Sequence, residues 1–321
     1  MEKQRTLKGD FSLTGKGLHT GLDIHITFRP APVNTGYRIC RIDLPDRPVI
    51  EASAENVCAT ERGTVLSAKG AQVSTVEHAL AALYASGIDN CLIDVDAPEF
   101  PILDGSSIIF ADKIIQTGIK EQSEARIYYM PEEIIECFDE ASGSHLILLP
   151  ADEFNIQCQI SFDSAVLSVQ SARLNHLSDF HKEIAMCRTF VFVREIEPLL
   201  KKGLIKGGDL DNVIVIYDKK LKQAKLDDLA DMMHVGRREA DRLGYIMNEP
   251  LRFNNEPARH KIIDLIGDLA LTGKFIKGIV IAVCPGHRIN NEFSRAIMND
   301  MKKTDQLPVE SIVGNLKMLS A

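Results

Sequence analysis

Glu77 and His78 stand side by side, and His260 stands four residues before Asp264. The chemistry this set suggests is metal-assisted hydrolysis. Such a centre needs three protein ligands, a position left open for water, and a base to take the water's proton. His78, His260 and Asp264 are the candidate ligands, and Glu77 is the carboxylate beside one of them. Residues i and i+4 lie one above the other on a helix, so His260 and Asp264 share a face. Asp268 is one more turn along, about 80° round from His260 at about 3.6 residues per turn.

Two readings of these residues are open. His260 and Asp264 also fit an ordinary surface pair. Glu77 also fits the N3 position of a capping box opened by Ser74, and His78 fits a partly buried histidine at a helix start. Against this, Ile262, Ile263, Leu265, Ile266 and Leu269 make the second segment otherwise core-like. Burying two carboxylates and a histidine together without a cation is costly, and a metal removes that conflict. His234 competes as a ligand, but it lies in a charged stretch with no carboxylate at metal spacing on an apolar face, and it reads as a solvated helix residue.

The elements that must position this set follow from pattern. Residues 1 to about 70 carry short β-branched runs (IHITF, GYRICRIDL, GTVLSA) between turn signals, which predict strands. Ser74 with Glu77, the apolar run HALAALYAS and Gly87 predict a helix of about three turns. A strand (CLIDVDA), a Pro-rich loop and a helix over 106–117 follow. A second series of strands starts after residue 124, then come a helix over 178–187, RTFVFV, the helix EIEPLLKKG and the strand NVIVIYD. Residues 218–250 are charged and read as a helical insertion. Pro257 and Gly273 bracket a helix, IKGIVIAV is a strand delivering Cys284-Pro285-Gly286-His287, and NEFSRAIMNDMKK is a last helix. The same order twice predicts an α+β protein of two similar domains, each a sheet layered with two helices. The expected division is 1–122 and 123–305, with the insertion in the second part and a tail over 306–321.

Composition narrows the function. At 321 residues, with 45% hydrophobic, the chain can fill real cores. The net charge of -8 comes without a basic arm, which argues against nucleic acid as a partner. The start lacks an apolar signal region and no run of 18 apolar residues occurs, so neither a signal peptide nor an integral membrane segment is expected and the location is read as cytoplasmic. The seven cysteines are odd in number and never form C-x-x-C, which fits reduced thiols and leaves His and carboxylate to hold any metal.

STVEHALAALYASGIDNCLIDVDAPEFPILDGS, CRTFVFVREIEPLLKKGLIKGGDLDNVIVIYD, RHKIIDLIGDLALTG and PGHRINN, with the opening KQRTLKG, GKGLHTG and RPAPVNTGY, resemble one family over nearly the whole chain. It is the zinc-dependent UDP-3-O-acyl-N-acetylglucosamine deacetylase of lipid A biosynthesis. The resemblance implies two similar α+β domains with the active site between them and an acyl-chain passage built from inserted segments. It implies one Zn2+ per chain, held by His78, His260 and Asp264. Glu77 would be the general base and His287 the cationic partner. Thr189 would help hold the oxyanion, Asp268 would orient and charge His287, and Lys261 would sit near the substrate diphosphate. The expected substrate is UDP-3-O-acyl-N-acetylglucosamine. Some relatives are fused to a hydroxyacyl-carrier-protein dehydratase, so fusion or association with one belongs among the expected partnerships, although this chain runs only to NLKMLSA. The stretch 218–250 is longer than the family's common form.

For the lipid, Phe190, Ile196 and Gly208 offer an apolar slot, with Gly208 leaving room where a side chain would stand. His19 in GLHTG is expected near the site. Two other classes stand beside this one: a different zinc amidohydrolase or peptidase, whose chemistry the same His/Asp ligand set suits, and a module without catalysis. A peptidase would use H-E-x-x-H, which is absent because Glu77-His78 is reversed. A metal-binding or acyl-chain-binding module would need ligands but neither the base Glu77 nor the acid His287.

Overall fold

The computed structural model describes residues 2–306; the expected tail lies outside them but for its first residue. Two five-stranded sheets carry the molecule. In the first, Phe11–Lys16, Asp23–Pro30, Cys91–Val95, Tyr37–Arg41 and Val49–Glu51 lie side by side in that order. In the second the order is Ile135–Asp139, Ser144–Leu149, Gly278–Val283, Phe154–Ser161 and Val169–Leu174. Each time the last strand in sequence enters the middle, antiparallel to the second strand and parallel to the third. The two halves therefore repeat one topology, which the sequence shows only as a repeated order of elements.

Alternation explains the strands. Ile24, Ile26 and Phe28 point into one core from Asp23–Pro30, and Phe154, Ile156, Cys158 and Ile160 into the other from Phe154–Ser161. The helices are α1 (Glu77–Ala85), α2 (Ile108–Thr117), α3 (Phe180–Glu183), α4 (Val193–Lys201), α5 (Gln223–Met232), α6 (Glu256–Ala270) and α7 (His287–Gln306). In each half the helix before the central strand packs on the helix after it, α1 on α2 and α6 on α7, and the halves meet where α1 lies against α6. Thirteen of the fifteen residues of α6 are buried, as expected of a helix that is covered on all sides. Gly267 makes the contact with α1 close: a Cβ there would stand 2.2 Å from the backbone oxygen of Glu77.

Several local expectations need correction. Ser74 does not cap α1. The chain enters through Thr75 in the left-handed region (φ 57), Ser74 Oγ donates to the Pro98 carbonyl, and Glu77 begins the helix with its side chain turned away. Gly87 ends α1 as expected: at φ 71 it donates to Tyr84, and Ile88 donates to Leu83. Only Phe180–Glu183 of the helix expected at 178–187 is α-helical. The last helix starts at His287 rather than near residue 291, so His287, expected at the end of the strand before it, opens the helix. Residues 218–250 are helical only in α5. They end in the strand Gly244–Ile246, which pairs with Val213–Tyr217 and so extends a three-stranded sheet begun by Thr189–Phe192. His234 is exposed as expected, but it follows α5 at φ 56 rather than lying within it. All seven cysteines are free.

Candidate active site

α1 and α6 cross where their polar residues face each other. His78, His260 and Asp264 are each at most 4% exposed, and one ligand atom from each falls within 4.8 Å of the other two. His260 Nε2 lies 3.3 Å and His78 Nε2 3.8 Å from Asp264 Oδ1, and the imidazole rings meet edge to face at 5.0 Å. The surface-pair reading of His260 and Asp264 is thereby excluded. Among the described residues this is the group able to hold a metal.

The donor set fits a cation. Burial above all, with His260, His287 and Lys261 nearby and only Asp264 opposing, pushes His78 down to about 3, so its imidazole is neutral, the form that ligates. Asp264 is held well below the usual carboxylate range: burial opposes this, but Lys261, His260 and His287 outweigh it. His260 Nδ1 is 3.0 Å from the Cys187 carbonyl, which fixes the ring and turns Nε2 towards His78 and Asp264. His78 is held through its backbone, whose carbonyl accepts from Ser107 Oγ at 2.8 Å.

Glu77 and His287 face one another, with His287 Nε2 3.8 Å from Glu77 Oε1 and 3.9 Å from Asp264 Oδ2. Burial raises Glu77 to about 7; the positive field of His287 opposes this and Asp264 and Asp268 add to it. Burial alone would lower His287, but Asp268, Asp264 and Glu77 raise it to about 9. At neutral pH the pair thus holds a carboxyl group poised to accept a proton and an imidazolium. Asp268 faces His287 rather than its own helix, with Oδ2 3.0 Å from Nδ1.

Lys261 Nζ donates to Asp264 Oδ2 at 2.8 Å and stands 5.4 Å from the Phe190 ring centroid. Phe190 faces His260 at 6.5 Å between ring centroids. Thr189 and Phe190 line a largely apolar cavity together with Ile196 and Gly208. A Cβ at Gly208 would meet Leu18 and Ile205 at ordinary contact distances, so this glycine is not forced by space. His19 lines the same cavity, its backbone N–H bound to Glu99 Oε1 at 2.8 Å.

Three residues here had no sequence signal. Thr64 donates its hydroxyl to Asp268 Oδ1 and its backbone N–H to Glu77 Oε2. Asn290 donates to Asp268 Oδ2 at 2.9 Å. Glu256 holds Arg188 in a buried pair, Oε1 to Nε at 3.0 Å, beside the Cys187 carbonyl that orients His260. All are contacts between residues far apart in the chain, so no local spacing marks them.

The family model described as "LpxC: UDP-3-O-acyl N-acetylglycosamine deacetylase" matches residues 4–229 and 240–299. The chain is 58% identical over 96% of its length to a bifunctional enzyme LpxC/FabZ of Porphyromonas gingivalis, of which it covers 67%. It is 56% identical over 94% of its length to the one from Bacteroides thetaiotaomicron, of which it covers 66%. It thus spans about two thirds of these bifunctional relatives. The UDP-3-O-acyl-N-acetylglucosamine deacetylase of Syntrophus aciditrophicus is 36% identical over 93% of this chain, which covers 87% of that protein. A fold of two matching sheet-and-helix halves, a His-His-Asp group at their junction and these likenesses agree: the chain belongs to the UDP-3-O-acyl N-acetylglycosamine deacetylase family.

Proposed function

We propose that this chain is a zinc-dependent amidohydrolase. It removes the N-acetyl group from UDP-3-O-acyl-N-acetylglucosamine to give UDP-3-O-acylglucosamine and acetate, in the cytoplasm, as the committed step of lipid A biosynthesis. The observation that carries the reading is the convergence of His78, His260 and Asp264 beside the facing pair Glu77 and His287. A storage site would need the first three and neither of the last two. No helix among the described residues is long and apolar enough to cross a membrane. The division at 122/123 belongs to the same reading, supported by the repeated sheet order. The LpxC/FabZ relatives support association with a FabZ unit.

His78, His260 and Asp264 would hold the zinc. When bound it supplies Lewis-acid polarisation of the amide carbonyl and makes water more acidic. Glu77 takes a proton from the attacking water as its oxygen bonds to the carbonyl carbon. Thr189 donates its hydroxyl to the developing oxyanion. The C–N bond then breaks, and the amine leaves with a proton from Glu77 or His287. His287, kept charged by Asp268, lies beside this negative charge as it forms. Lys261 would sit near the substrate diphosphate, and Phe190, Ile196 and Gly208 would bound the slot for the acyl chain.

The test is turnover of UDP-3-O-acyl-N-acetylglucosamine before and after chelation, with metal content and zinc add-back. About one metal per chain, with activity lost and restored, supports site and chemistry together. Activity indifferent to chelation rules out the metal mechanism. Metal bound without turnover favours a binding module.

A further inference from the structure

Glu99 has no part in the chemistry proposed above, yet it is fully buried and its carboxylate collects four donors. Oε1 accepts from the His19 amide at 2.8 Å and from the Thr75 hydroxyl at 3.0 Å. Oε2 accepts from the Thr20 amide at 2.9 Å and from the Thr20 hydroxyl at 2.7 Å. A carboxylate offers about four acceptor positions, and a buried one is costly unless they are filled. Here they are filled from two separate segments of the first half, and each segment leads to a different part of the site.

One arm reaches the start of α1. Thr75 sits at φ 57, a region that β-branched residues rarely enter. Such a conformation persists only where its surroundings over-determine it. The Ser74 amide donates to the Pro98 carbonyl and the Phe100 amide to the Ser74 carbonyl, each at 3.0 Å, while Glu99 holds the Thr75 hydroxyl itself. Two residues on, Glu77 opens α1. The other arm reaches residues 17–20. Gly17 lies so close over Glu99 Oε2 that a Cβ there would collide with it. This turn carries Leu18 and His19 into the wall of the cavity beside Thr189, and the Leu18 carbonyl accepts from the Gly207 amide of the second half at 3.0 Å.

We propose that Glu99 is a positioning residue for the deacetylation: its one carboxylate ties the turn that launches Glu77 to the turn that carries Leu18 and His19, and so holds the base in register with the wall against which substrate lies. The proposal rests on the deacetylase reading. The two arms act on different quantities. The Thr75 arm places a group that acts in the chemical step, where a shift of about 1 Å can cost about 100-fold. The Thr20 arm places a surface that only binds, so its loosening is felt as weaker association.

The test uses the full chain with bound metal and UDP-3-O-acyl-N-acetylglucosamine, and thermal unfolding checks that each variant is folded. Thr75→Val keeps the branched shape and removes one arm. It should lower kcat by about 10–100-fold with KM little changed, and Thr75→Ser, which retains the hydroxyl, should restore most of the loss. Thr20→Val should instead raise KM by about 3–10-fold, the size of one lost hydrogen bond, with kcat little changed. Affinity for the product UDP-3-O-acylglucosamine, measured by calorimetry without turnover, should fall in Thr20→Val and hold in Thr75→Val. Glu99→Gln should show both effects, and adding Thr75→Val to it should lower kcat little further, because the two changes break the same bond. A folded Thr75→Val with full kcat, a Thr75→Ser that restores nothing, or kcat losses that multiply in the double variant would overturn the proposal while leaving the deacetylase reading standing. No turnover by the unaltered enzyme would instead sink the deacetylase reading, and this one with it.

Discussion

Thr64 and Asp268 are joined by a short hydrogen bond, 2.5 Å from the threonine hydroxyl to Oδ1, across 204 residues of sequence. The same threonine gives its backbone N–H to Glu77 Oε2 at 3.2 Å and has its Oγ1 3.3 Å from His287 Nδ1. One buried residue of the first half therefore touches the proposed base, the proposed cation and the carboxylate that charges it. Thr64→Val keeps the shape and removes the hydroxyl, leaving Asp268 Oδ1 without that donor. The expected outcome is a fall in kcat of about 10–100-fold, the usual size for a lost orienting partner, with KM little changed. Thr64→Ser should restore most of it. Steady-state kinetics of both variants decide, and equal losses in Val and Ser would show that packing rather than the hydroxyl matters.

Asp268 bears on pH dependence. Burial works against a charged His287, and the carboxylate 3.0 Å from Nδ1 is the foremost group raising it, to about 9. The protonated form is the one proposed to act, so its contribution is complete at neutral pH and is lost as pH rises through that value. Asp268→Asn removes the charge and retains a polar partner. The basic limb of the kcat/KM profile should then move to lower pH, towards the ordinary histidine value of about 6.5. A basic limb unmoved in the variant would assign it to a group other than His287.

Gly267 offers a prediction opposite in sign to helix propensity. Alanine usually stabilises a helix interior by about 1 kcal/mol relative to glycine. Here its Cβ would fall 2.2 Å from the Glu77 carbonyl, so α1 and α6 must part. Gly267→Ala should cost about 1–3 kcal/mol, as overpacking does. It should also lower turnover, since the shift displaces Glu77 and His78 together. Denaturant unfolding followed by activity at matched folded fraction separates the two effects.

What the sequence reveals of this site is its local part. His260 and Asp264 share a helix face because i and i+4 always do, and Glu77 adjoins His78 in the chain, so spacing alone brings both groups forward. The crossing of α1 and α6 depends on Gly267, whose small size has a meaning only once the partner backbone is known. Thr64 had no spacing to betray it, because its partners Asp268 and His287 arrive from the other half of the fold. The capping box failed for a related reason. Ser74 and Glu77 have the right interval, but Thr75 between them is left-handed and the Glu77 side chain accepts from the Thr64 amide instead. The sheet order of each half was legible only as a list of strands, since alternation tells which face is buried and not which strand lies in the middle. Within 218–250, the strand Gly244–Ile246 was hidden by the charge around it, and its pairing with Val213–Tyr217 supplies what its own sequence does not.

Arg188 and Glu256 test how far the ligand geometry depends on residues that touch no ligand. Their side chains are 1% and 0% exposed, and Glu256 also accepts from the Arg188 and Arg252 amides at 2.9 and 2.7 Å. This pair fixes segment 187–189 to the start of α6, where the Cys187 carbonyl orients His260 and Thr189 opens its strand. Glu256→Ala leaves a buried guanidinium without its counter-charge, which typically costs about 3–5 kcal/mol. Glu256→Gln retains the shape and part of the hydrogen bonding and should cost less. The proposed coupling to the metal predicts more than lost stability: with the variant still folded, zinc affinity measured by chelator competition should fall by about 10–100-fold, because His260 loses its fixed orientation. A folded Glu256→Gln protein that binds zinc as tightly as the unaltered chain would confine the pair to stability and leave the orientation of His260 to the packing of α6 alone.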